Sequence, residues 1–88
     1  MTVRRQIRHR IVGYDPVSER LEFSFELPNK AMPFLSKFIR FEEDDPDGYD
    51  AYRVDYSIVS DIAGMLHLTN RPPPRLEYFL EPSGVRLT

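Results

Sequence analysis

The 88 residues carry twelve lysines and arginines against fourteen acidic residues, a formal net charge of −2, and no cysteine. Without cysteine the chain has no disulfide framework, no thiolate metal site and no thiol nucleophile. Its length suits a single hydrophobic core, burying about 60–65% of the surface that the unfolded chain exposes.

From Val3 to Gly13, Val3, Ile7, His9 and Ile11 alternate with Arg4, Gln6, Arg8 and Arg10, the period of two that a half-buried strand requires. Asp15-Pro16-Val17-Ser18 supplies turn chemistry. Leu21, Phe23, Phe25 and Leu27 then alternate with Glu22, Ser24 and Glu26 in a second strand closed by Pro28. A hairpin is expected, in one of two registers that keep the arginines off the apolar face: Ile11 opposite Leu21, or Ile11 opposite Phe23. The first places Arg10 across from Glu22, the second Arg8 across from Glu26.

Phe34, Leu35, Phe38, Ile39 and Phe41 follow helical spacing, and the helix is expected to start between Asn29 and Pro33. The run Glu42 to Asp50, with Pro46 and Gly48, reads as a surface loop. Tyr52 and Val54 suggest a short strand. A second helix follows, capped by Asp55 or Ser57, with Ile58, Ile62, Met65 and Leu66 on one face and His67 near its end. Pro72-Pro73-Pro74 stops that helix as a stiff spacer. Leu76, Tyr78 and Leu80 alternate in a last strand, and the residues after Pro82 read as loose. The order β-β-α-β-α-β points to an α+β domain over 1–82, a mostly antiparallel four-stranded sheet with two helices on one face, and a flexible tail over 83–88. Strand order within the sheet is left open by this pattern.

Charge is strongly polarised. Residues 1–20 hold five arginines against Asp15 and Glu19, whereas 42–61 hold eight carboxylates against Arg53 alone. The acidic, tyrosine-bearing segment nominates Glu42, Glu43, Asp44, Asp45, Asp47, Tyr49, Asp50 and Tyr52 as an interaction surface. Glu43, Asp45 and Asp47 with Gly48 match the first half of a calcium loop, but Ala51 and Val54 occupy its later ligand positions, so a solvated loop without a cofactor or metal is expected. Arg4, Arg5, Arg8 and Arg10 form an alternative, a stripe that could lie along a nucleic-acid backbone; the acidic overall balance and cross-strand glutamates weigh against it. His9 and His67 have structural explanations, and no nucleophile elbow, phosphate loop or metal spacing occurs, so catalysis is not expected. Neither a signal peptide nor a membrane span is read from the sequence, which suits a reducing, cytoplasmic setting.

Tyr14-Asp15, Glu26-Leu27-Pro28, Asp44-Asp45-Pro46, Tyr52-Arg53-Val54 and the closing Tyr78-Phe79-Leu80-Glu81 together resemble a family of small uncharacterised bacterial proteins across nearly the whole chain. That resemblance implies no activity. From the residues themselves, a non-catalytic protein-interaction domain is expected, meeting a basic protein partner as an inhibitor of a toxin or nuclease would, or else associating with itself.

Overall fold

A computed structural model of the chain describes residues 5–45 and 48–87, with side chains described over 7–45 and 48–84. Strand β1, Arg5–Tyr14, and strand β2, Leu21–Leu27, form the hairpin. A 3-10 turn over Asn29–Ala31 leads into helix α1, Met32–Leu35. Strand β3, Tyr52–Val54, helix α2, Tyr56–Met65, and strand β4, Glu77–Leu87, complete the chain. All pairings are antiparallel, and the strands lie in the order β2-β1-β4-β3.

Period-two patterning determines what each face of the sheet carries. Ile11, Leu27, Val54, Tyr78 and Leu80 form one face and pack with Ala31 and Leu35 before and in α1 and Val59 and Ile62 of α2 in a single core. Both helices therefore cover the same face; the opposite face carries neither helix, although Val12 on it is fully buried. On that opposite face Tyr14 meets Phe79 edge-on at 6.0 Å and donates its hydroxyl hydrogen bond to Glu81 at 3.0 Å. Within the core the Tyr78 hydroxyl donates to the Pro73 carbonyl at 2.6 Å, and burial pushes its pKa up to about 12. The triple proline thus anchors the strand that it leads into.

The hairpin register differs from both expectations, since Ile11 pairs with Phe25 and Arg10 with Glu26. The loop explains the shift. The Asp15 carboxylate accepts the Val17 and Ser18 N–H groups at 2.8 and 2.9 Å, while the Asp15 N–H reaches the Arg20 carbonyl at 2.9 Å. That closure uses six residues, and an irregularity beside Gly13 and Tyr14 leaves Glu22 without an opposite number. Arg75 then ties the loop to the strand, donating to Asp15 at 2.8 Å and Glu22 at 2.6 Å.

Helix α1 is shorter than the periodicity predicts. Beyond Leu35 the chain continues in turns to Phe38, because the Ser36 hydroxyl bonds back to the Pro33 carbonyl at 3.0 Å and Phe41 leaves the helical path to pack elsewhere. Helix α2 is rotated by about one residue from the expected face. It buries Val59, Ile62 and Ala63 with Ile58 and Leu66 half-buried, and Met65 is exposed. Asp55 occupies the cap position without a side-chain cap bond. Residues 83–87, expected to be loose, extend β4 along β1: an irregularity between Arg8 and His9 absorbs Ser83, and pairing resumes from Gly84 opposite Arg8.

Leu80, fully buried between β1 and β3, is predicted to matter most by truncation. Leu80→Ala should lower the unfolding free energy by about 2–5 kcal/mol in urea titration. A loss within 0.5 kcal/mol, roughly the scale of a surface substitution, would contradict this core assignment.

Candidate functional site

The acidic loop is folded around one of its own carboxylates. Asp45 is 6% exposed. Its Oδ1 accepts the Tyr49 N–H at 2.6 Å, and its Oδ2 accepts the Asp50 N–H at 2.9 Å and the Tyr52 hydroxyl at 2.7 Å. The same hydroxyl accepts the Glu42 N–H at 3.1 Å, so one carboxylate and one phenol join both ends of the loop. The Tyr52 hydroxyl, then the Asp50 and Tyr49 amides, hold the Asp45 carboxyl below the usual aspartate range against the opposing effect of burial.

His9 seals the loop from beneath. It is 5% exposed on β1, its Nε2–H donates to the Gly48 carbonyl at 3.1 Å, and its ring stacks with Phe41 at 6.4 Å. Phe41 in turn packs on Tyr52 at 4.9 Å. Gly48 has φ +72°, and a Cβ there would fall 3.0 Å from both His9 Nε2 and the Phe41 ring. A side chain at 48 is therefore disfavoured twice, by backbone conformation and by space.

These contacts divide the residues nominated from the sequence. Asp45 is turned inward and Tyr52 is half-buried with its hydroxyl engaged, so both support the loop rather than facing a partner, a correction to the expected surface. The reason is that the carboxylate finds three donors inside, which compensate its desolvation. Glu42, Glu43, Asp44, Tyr49 and Asp50 are exposed on the pinned backbone. Asp47 lies outside the described residues. Arg40, Phe41, Glu42, Glu43 and Asp44 line a shallow recess of about 470 Å³.

Of the arginine stripe, Arg8 is exposed, and Arg10 is flanked in register by Glu26 on β2 and Glu81 on β4. Arg4 and the side chain of Arg5 lie outside the description. Among the described residues no group of three His, Asp or Glu side chains is placed to hold a metal ion. His67 lines a separate cleft that has no carboxylate among its lining residues.

The model of a domain of unknown function, DUF7683, matches residues 8–81. The chain belongs to that family. Among curated proteins and solved structures, none matches the chain. The match begins at Arg8 and ends at Glu81, so it takes in His9, the pinned loop and the first half of β4. Among the described residues no helix of this family member is long and apolar enough to cross a membrane.

Because the folded state holds the Asp45 carboxyl below its ordinary value, it binds fewer protons there than the unfolded chain does at mildly acidic pH. The stabilisation from Asp45 is complete above about pH 5 and is lost progressively as pH falls through the ordinary aspartate value and then the lowered one. Asp45→Asn should accordingly be less stable than wild type at pH 7, with the difference shrinking on acidification in parallel thermal melts. An equal difference at pH 7 and pH 2.5 would contradict the assignment.

Proposed function

We propose that this domain is a non-catalytic protein-interaction module whose acidic loop receives a basic side chain from a protein partner. The observation that carries the reading is the recess in which Glu42, Glu43 and Asp44 outnumber the one cation, Arg40, beside Phe41, displayed on a loop whose backbone Asp45, Tyr52 and His9 hold in place. A mobile acidic run would have to be ordered on binding, at an entropic cost. A pinned one presents its charges already arranged. Phe41 is among the lining residues and adds apolar surface for the stem of an arginine, while the neighbouring carboxylates supply acceptors. Exposed carboxylates of one sign also steer a basic partner toward the surface and raise the association rate. An inhibitor that occupies the nucleic-acid face of a nuclease or toxin works on this electrostatic principle, and that class of partner is the one we favour.

The arginine-stripe alternative is less well supported, because Arg10 is set between two glutamates on the adjoining strands. A phosphate backbone approaching it would meet those carboxylates too.

The test is charge reversal at the exposed positions alone. Glu42→Lys, Glu43→Lys and Asp44→Lys together leave Asp45 and its donors untouched. They should slow association with a basic partner captured by wild type by roughly tenfold or more at low salt, with little change in the thermal midpoint. Capture and association rate unaltered by the triple reversal would contradict the proposal.

A further inference from the structure

Helix α2 ends against local preference at two nearby positions. Gly64 sits inside the helix, where glycine is a poor helix former, and packing gives no reason for it: a Cβ built there meets no atom within 4 Å. His67, one residue past the cap, adopts φ +54°, the left-handed conformation that favours glycine. The turn itself is well made, since the His67 N–H reaches the Gly64 carbonyl at 3.2 Å and the Leu68 N–H reaches the Ala63 carbonyl at 3.1 Å, the paired bonds of a Schellman cap. Stability alone would favour alanine at 64 and glycine at 67.

Both residues line the same cleft of about 350 Å³. Ser60 and Thr69 contribute hydroxyls to it and Arg71 a guanidinium, with Leu68 and Pro72 among its apolar walls. No carboxylate is among its lining residues, although the chain as a whole is acidic. Departures from local preference that converge on one concave site mark places where stability has been given up for binding. The missing side chain at 64 leaves bare backbone on which a ligand can rest, and the left-handed turn at 67 carries an imidazole at its edge. The volume falls within the range of small-molecule sites, roughly 300–1,000 Å³.

We propose that the cleft between the end of α2 and the Thr69–Pro72 segment binds a small molecule bearing a carboxylate or phosphate group. Arg71 supplies the charge for that group, His67, Ser60 and Thr69 supply hydrogen bonds, and the bare backbone at Gly64 receives the body of the ligand. This site is separate from the acidic loop and stands or falls independently of it.

Two probes, benzoate and inorganic phosphate, are titrated into the isotopically labelled chain while the amide signals of Gly64, Thr69 and Arg71 are followed. Saturable shifts at these amides with either probe are expected, and the probe that saturates at lower concentration identifies the acid group. Arg71→Gln should weaken that binding on the order of tenfold. Gly64→Ala and His67→Gly should each raise the thermal midpoint by roughly 2–8 °C and weaken binding at the same time. A purely structural role for these residues would not couple the two changes. Absence of saturable shifts with both probes overturns the proposal, as does unchanged binding in all three variants.

Discussion

The pairing of the first strand with the last is the constraint on which the other elements depend. β1 and β4 lie at the centre of the sheet and run antiparallel along nearly their full lengths, so each can accept a further strand on its outer edge. Ile11 and Leu80 face one another in that ladder with no exposed surface. Everything between them in the chain is arranged by it. β2 folds back beside β1, β3 beside β4, and both helices close over the shared apolar face.

The acidic loop inherits its order from that central ladder. His9, on β1, offers the Gly48 carbonyl a donor and gives Phe41 a ring to stack on, while Tyr52, on β3, offers its hydroxyl to Asp45. Two strands that are not neighbours in the sheet thereby hold opposite sides of one loop. The inward carboxylate is the junction between fold and surface. It costs desolvation and recovers it through three donors, and its neighbours Glu42, Glu43 and Asp44 are left free to face outward.

Much of the fold is legible in the chain because alternation and proline punctuation act locally. β2 begins at Leu21 and ends at Leu27, where Pro28 cannot continue it, and α2 follows Asp55 as its pattern requires. What the residues do not reveal is settled by contacts that period-two and helical patterning do not encode, some local and some far along the sequence. The hairpin register depends on how many residues the Asp15 carboxylate organises into the loop. Helix α1 stops early because Phe41 is taken by His9 and Tyr52. β4 runs past Pro82 because β1 offers a partner beyond the irregularity, against the turn-like reading of Pro82-Ser83-Gly84. In the site, the acidic character of 42–50 is plain, but Asp45 resembles the carboxylates beside it until Tyr52 and the Tyr49 and Asp50 amides are brought to it. One signal was present: Asp45-Pro46-Asp47-Gly48 is turn chemistry in which the first aspartate bonds the backbone ahead of it.

If Asp45 orders the acidic surface from within, amide hydrogen exchange at Tyr49 and Asp50 reports it. Both amides donate to the Asp45 carboxylate, so they should exchange slowly in the wild type and fast in Asp45→Ala, while the amides of Ile11 and Leu80 keep their protection. Fast exchange at Tyr49 and Asp50 in the wild type, as in a freely solvated loop, would show that Asp45 does not hold the loop.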